Sequence, residues 1–179
     1  MKILVFRLDE EEFLKNINYI KFAIVSKDFD LLDKYKIHNA GLDLYSTKKV
    51  VFQEFESKII PTGVKVLCPV GYYYQVYPRS SLSLKTPFML GNSVGVIDSS
   101  YRGEVGIILK NVSPGLAETC RGQRYAQLIL SRYIPFGSTE IFNPAVIKIF
   151  YVKSERIFNE WEKLFPSERG SDGYGSTGS

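Results

Sequence analysis

The chain has 179 residues, 45% of them apolar, and a net charge of only +4. That length suits one domain with a buried core. No stretch approaches the apolar length of a membrane span and no long basic run occurs, so neither a membrane nor nucleic acid is an expected partner.

The N-terminus, MKILVFRLDEEE, carries a very short apolar run and then turns acidic. That is not the pattern of a secretory signal, and the cytoplasm is the default expectation. Asp9 to Asn18 reads as a short helix. Strands follow at Lys21 to Val25, Leu42 to Tyr45, Val50 to Phe52, Gly63 to Cys68 and Tyr72 to Tyr77. Ser81 to Lys85 reads as a helical turn or two. Gly95 to Ile97, Val105 to Asn111 and Tyr125 to Tyr133 continue the strand series. In Lys153 to Phe165 the apolar residues Ile157, Trp161, Leu164 and Phe165 fall at helical spacing, and Pro166 ends the run. From Ser167 onwards Gly and Ser dominate, which by composition is a flexible tail. Many short strands between Gly, Pro, Asn and Asp turns, in a chain rich in Tyr and Phe (12 of each), predict an all-β sandwich or barrel. Cys68 and Cys120 are the only cysteines, and free buried thiols are expected rather than a disulfide. His38 is the only histidine, and no Cys or His pair has metal-ligand spacing.

Five segments carry candidate chemistry. AGLDL (Ala40 to Leu44) places Asp43 beside a glycine at the start of a strand, and alone reads as a turn carboxylate. PRSSL (Pro78 to Leu82) offers Arg79, Ser80 and Ser81 at a strand-to-helix junction. That fits a phosphate cradle and, equally, a Ser cap with a surface Arg. GNSVGVIDSSYRGEV (Gly91 to Val105) has the pattern of a hairpin presenting Asp98 and Tyr101; alone these are turn formers, yet such an Asp can serve as a general base and such a ring can pack on a sugar. GQRYAQL (Gly122 to Leu128) puts Gln127 in an apolar strand, where it needs a hydrogen-bond partner, and leaves Arg124 readable as a surface cation. RGSDGYGSTG (Arg169 to Gly178) is neither a P-loop nor a dinucleotide fingerprint, because no GK[ST], following helix or strand–turn–helix accompanies it.

Together and in this order, the five segments resemble the five motifs of the trimeric dUTPase (deoxyuridine 5'-triphosphate nucleotidohydrolase) family, over roughly Lys21 to Gly178. The resemblance implies a β-clip, a distorted jelly-roll barrel with one or two short helices, assembled as a homotrimer whose sites draw on all three chains. It implies Mg²⁺-dependent cleavage of dUTP to dUMP and pyrophosphate, with Asp98 activating a water against the α-phosphorus. Asn92, Gly95, Val96 and Ile97 belong to the stretch that would meet uracil and sugar, and Tyr101 would pack under the deoxyribose. Arg79, Ser80, Ser81 and Gln127 would hold the α- and β-phosphates, and Asp43 would reach the metal through water. Arg169 would clamp the γ-phosphate. Tyr174, where the family often has Phe, would stack on the base while Gly175, Ser176 and Thr177 close on the phosphates.

Against this family pattern, residues 1–19 are an N-terminal extension, 20–166 the β domain with a long, partly helical connection at 132–166, and 167–179 the active-site tail. A dCTP deaminase, or a bifunctional deaminase-pyrophosphatase of the same superfamily, shares the RSS segment and a similar hairpin but typically lacks the full tail. A non-catalytic nucleotide-binding or signalling protein on the same fold is a further alternative, and a purely structural capsid-like jelly roll, which would not need Asp98, Tyr101 and the tail together, is the last.

Overall fold

The computed structural model describes residues 2–34, 36, 38–134 and 144–174. In chain order the strands are β1 (Lys2–Leu8), β2 (Phe22–Ser26), β3 (Leu42–Tyr45), β4 (Val50–Phe52), β5 (Ser57–Pro61), β6 (Val64–Leu67), β7 (Tyr72–Pro78), β8 (Phe88–Leu90), β9 (Gly95–Ile97), β10 (Gly106–Asn111), β11 (Ala117–Thr119), β12 (Arg124–Arg132) and β13 (Val146–Lys153). Three α-helices accompany them: α1 (Glu10–Lys15), α2 (Leu82–Lys85) and α3 (Glu155–Leu164). The architecture is predominantly β, as the sequence predicts.

The strands form sheets ordered β1-β13-β2-β6, β3-β12-β7-β9, β5-β10-β8 and β11-β4. β1, β13 and β2 run parallel and every other pairing is antiparallel. All five residues of β2 are buried, because its sheet has a core on each side. Alternation sends Phe22 and Ile24 into the main β core, and Ala23 and Val25 into a second cluster beneath α3. β13 divides in the same way, with Ile149 and Tyr151 on the first side and Val152 on the second.

The second cluster joins the two ends of the chain. α3 is amphipathic and seats Ile157, Phe158 and Trp161 against the sheet. Phe13 of α1 meets Trp161 and Phe165, with ring centroids 6.4 and 6.3 Å away. The caps interlock as well. Ser154 Oγ accepts from Ile157 N at the start of α3 and donates to Glu10 Oε2 in α1 (3.0 and 2.5 Å). The N-terminal segment and the stretch from Pro144 to Phe165 therefore pack as one unit on β2 and β6.

Several elements differ from the sequence expectation. β1 is not predicted, because its partner β13 lies more than a hundred residues away. β5, β8, β11 and β13 are not predicted either. The helix at Asp9 to Asn18 resolves into α1 and a 3₁₀ turn at Ile17–Tyr19. Both cysteines are free; Cys68 is buried, its thiol pushed up to about 12 by that burial, but Cys120 is exposed. No helix among the described residues is long and apolar enough to cross a membrane.

Candidate active site

Two groups of predicted site residues gather in two separate cavities. The first group forms on the β3-β12-β7 sheet. Gln127 pairs across β12 with Asp43 of β3 and with Tyr77 of β7, so these side chains share a rung and a face. β7 ends at Pro78, and Arg79 follows at once; its carbonyl accepts from Leu82 N at the start of α2 (2.9 Å). Arg79 Nε donates to Asp43 Oδ1 at 2.9 Å, and Arg124 Nη1 donates to Asp43 Oδ2 at 2.8 Å. Gln127 Nε2 donates to the Pro78 carbonyl at 3.1 Å.

Arg124 joins this group through a β-bulge. It stands three residues before Gln127, an odd spacing that in a regular strand would point it to the opposite face. The register shifts between Arg124 and Ala126, and Tyr125 is the extra residue. Arg124 thus pairs with Tyr45 while Gln127 pairs with Asp43, two positions on the same face of β3. From the sequence alone Arg124 reads as a surface cation, because nothing in it signals the bulge.

These residues line a cavity of about 820 Å³ together with Ser80, Asp33, Lys34, Lys36 and His38. Four cations, Lys34, Lys36, Arg79 and Arg124, face two carboxylates there, a balance that suits a polyanion. Ser81 lines an adjoining cavity with Arg79, Lys85 and Arg124. Among the described residues, no cluster of three or more His, Cys, Asp or Glu side chains is placed to hold a metal.

The second group lines a smaller cavity, of about 210 Å³, bounded by Asn92, Gly95, Val96, Ile97, Asp98, Tyr101, Arg169 and Tyr174. β9 delivers Gly95, Val96 and Ile97 and ends there, so Asp98 projects from the strand terminus with its side chain half exposed. Tyr101 is buried, and its hydroxyl donates to the Glu104 carbonyl at 2.9 Å. The tail folds over this hairpin. Arg169 Nη1 donates to Asp98 Oδ2 at 2.5 Å, and the guanidinium carbon lies 5.5 Å from the Tyr101 ring centre. The Tyr174 hydroxyl accepts from Gly106 N at 2.6 Å. Gly106 is required at that point, because a Cβ there would overlap the Tyr174 hydroxyl and lie 2.5 Å from Ile59 Cγ2.

Burial raises the Tyr101 phenol well above its ordinary value, the adjoining Tyr174 raises it further, and Arg169 opposes both. Tyr174 is also raised, chiefly by burial, with the Gly106 N–H acting against that. Both rings are therefore neutral near pH 7.

The two cavities share no lining residue. One chain thus brings Asp43, Arg79, Ser80 and Gln127 together, brings Asn92, Gly95, Val96, Ile97, Asp98, Tyr101, Arg169 and Tyr174 together, and keeps the two sets apart. Gly175, Ser176 and Thr177 lie outside the described residues. Besides Arg124, Arg102 also escapes a reading of the sequence. Its buried guanidinium donates to the carbonyls of Ser99, Tyr101 and Phe165 (2.7, 2.9 and 2.7 Å). Nothing in its neighbours' identities marks it as more than part of a turn.

The family model for dUTPase matches residues 27–144. A deoxyuridine 5'-triphosphate nucleotidohydrolase of Finegoldia magna is 38% identical over 129 residues, which cover 69% of this chain and 90% of that protein. Another, of Thermoanaerobacter sp., is 35% identical over 161 residues, covering 89% of this chain and 95% of that protein. Among solved structures, the dUTPase from Streptococcus mutans superposes with a TM-score of 0.59 at 27% identity, over 66% of this chain and all of that one.

Proposed function

The chain belongs to the dUTPase family, and from that premise we propose that it hydrolyses dUTP to dUMP and pyrophosphate at sites assembled between copies of itself. The observation that carries this reading is the small cavity in which Asp98, Tyr101, Arg169 and Tyr174 meet. It offers a carboxylate, an aromatic floor, a guanidinium and a second ring, the groups needed to activate water beside a deoxynucleotide.

The contacts support the following roles. Asp98, projecting from the end of β9, accepts a proton from water attacking the α-phosphorus. The bond to the pyrophosphate leaving group then breaks. The bond from Tyr101 to the Glu104 carbonyl fixes the ring beneath the sugar, where a 2′-hydroxyl would collide. Asn92 to Val96 offer backbone groups to the uracil edge, and Tyr174 covers the base. Arg79, Ser80, Ser81 and Gln127, with Arg124 and Lys34, surround the phosphates. Neutralising the charge on the transferring phosphoryl group lowers the barrier more than any other effect in such chemistry.

Mg²⁺ fits this donor set. Such ions are commonly held by substrate phosphates and water with few protein carboxylates, and both Asp43 oxygens already accept from arginines, leaving lone pairs for metal-bound water. When bound, Mg²⁺ neutralises phosphate charge and favours departure of pyrophosphate. Arg169 holds the γ-phosphate, and the family resemblance assigns Gly175, Ser176 and Thr177 to the phosphates as well.

A homotrimer accounts for the separation of the two half-sites, since the phosphate half of one chain meets the Asp98 half of another. The outward face of the β5-β10-β8 sheet supports this, for it exposes Ile59 and Met89. Val96 is also exposed. The test is incubation with Mg²⁺ and each of dUTP, dCTP, UTP and dTTP, measuring pyrophosphate and ammonia, alongside sedimentation equilibrium. Pyrophosphate from dUTP alone is the expected result; ammonia from dCTP, or no turnover, contradicts the reading.

A further inference from the structure

We infer that each active site takes its Asp98 hairpin and its tail from the same chain, so that two chains complete a site, in place of the three that the family resemblance implies. This rests on the reading that Asp98, the tail and the Arg79 cavity act together on one nucleotide.

The tail is not free to choose its hairpin. β13 lies hydrogen-bonded between β1 and β2, and α3 seats Ile157 and Trp161, both fully buried, on the same sheet. The segment from β13 to Phe165 is therefore fixed. There the Phe165 carbonyl accepts from Arg102 Nε at 2.7 Å. The guanidinium of Arg102, a residue only 8% exposed, also holds the carbonyls of Ser99 and Tyr101 on the loop that follows Asp98. The end of α3 is thus tied to the hairpin carrying the general base.

Arg169 follows Phe165 by four residues. An extended chain of that length spans about 14 Å at most, so Arg169 cannot travel far from its own hairpin. Two further bonds shorten the path: Ser167 Oγ donates to the Ser100 carbonyl at 2.6 Å, and Arg102 N donates to the Gly170 carbonyl at 2.7 Å. Delivering the tail to another chain's Asp98 would require β13 and α3 to leave their places, breaking the strand ladders and exposing Trp161. The family match ends at residue 144, so the unit that fixes the tail lies beyond the part of the chain this family model describes. Residues 2–19 acquire a purpose through the same unit, since Phe13 packs on Trp161 and Phe165.

Mixed assemblies test this. Two differently tagged chains are co-expressed, and assemblies carrying both tags are purified. In the first pair, an Arg79→Ala chain is combined with an Asp98→Asn chain. A sound hairpin with its tail then meets a sound phosphate half on a neighbour. dUTP turnover is expected to rise roughly tenfold or more above either parent, because loss of a general base alone costs about 10²–10⁴-fold. In the second pair, the Asp98→Asn chain is combined with a chain carrying Arg169→Ala and Tyr174→Ala. Every hairpin–tail unit is then broken in one part or the other, and turnover is expected to stay at the level of the parents. Rescue in the second pair overturns the inference, because only a tail acting on another chain's hairpin can produce it. No rescue in the first pair overturns it as well, since the halves would then not be shared between chains. Absence of dUTP turnover in the unaltered protein is a different failure, of the proposed function itself.

Discussion

Arg124 and Asp43 form an ion pair at 2.8 Å across a β-bulge. Asp43 is held between this arginine and Arg79, each on a separate oxygen. The three side chains are 26–33% exposed, so solvent screens the pairs and their contribution to stability is small, about 0–1 kcal/mol each. Their importance lies in presenting two guanidinium groups to one cavity. Arg124→Ala is therefore expected to leave the melting temperature nearly unchanged while raising KM for dUTP. A large fall in melting temperature with unchanged KM would make the pair structural instead.

Asp98→Asn keeps the shape of the small cavity and removes the carboxylate proposed as the base. Nucleotide binding, measured by calorimetry with a non-hydrolysable dUTP analogue, is expected to persist. Turnover is expected to fall by about 10²–10⁴-fold. Near-normal turnover would remove Asp98 as the base.

Tyr101→Ala opens the floor of that cavity. The expected outcome is a rise in UTP use relative to dUTP, read from the ratio of kcat/KM values. An unchanged preference would mean that the ring does not exclude the 2′-hydroxyl.

The cluster beneath α3 makes a stability prediction. Trp161 is fully buried against Phe13 and Phe165, and truncating such a side chain costs about 3–5 kcal/mol. Trp161→Ala should lower the denaturation midpoint accordingly. Deleting residues 1–19 should do the same and add exposed apolar surface, detectable by dye binding. A deletion variant as stable as the full chain would show that the N-terminal segment is dispensable to the fold.

Alkaline titration probes phenols whose hydroxyls the fold shields from water, from buried Tyr74 to half-exposed Tyr174. Tyr45, Tyr74, Tyr101, Tyr125, Tyr151 and Tyr174 are all raised, each chiefly by burial. A raised native value means that the folded chain keeps a proton the unfolded chain releases near pH 10. The associated stability is fully present below pH 10 and is lost as pH rises through the native values. Phenolate absorbance should therefore develop in two stages, the later one coinciding with unfolding. A single stage near pH 10 in the folded protein would contradict these environments.

Much of this is legible in the sequence, for identifiable reasons. β3, β4 and β9 have the bounds that alternation and flanking turn residues predict. α3 is readable because Ile157, Trp161, Leu164 and Phe165 fall at helical spacing and Pro166 ends the run. The motif residues are legible one by one, but their grouping is not. Pairing Asp43 with Arg124 depends on a bulge, and pairing Asp98 with Arg169 depends on where α3 ends. β1 escapes because a seven-residue strand is specified by its partner, and β13 lies at the other end of the chain. β8 and β11, at three residues each, are too short to carry a period.

The central claim is that water attacks the α-phosphorus of dUTP. Hydrolysis in ¹⁸O-labelled water with Mg²⁺, followed by mass spectrometry of both products, tests it most directly. The label is expected in dUMP and absent from pyrophosphate. Label in pyrophosphate, or release of inorganic phosphate in its place, would contradict it.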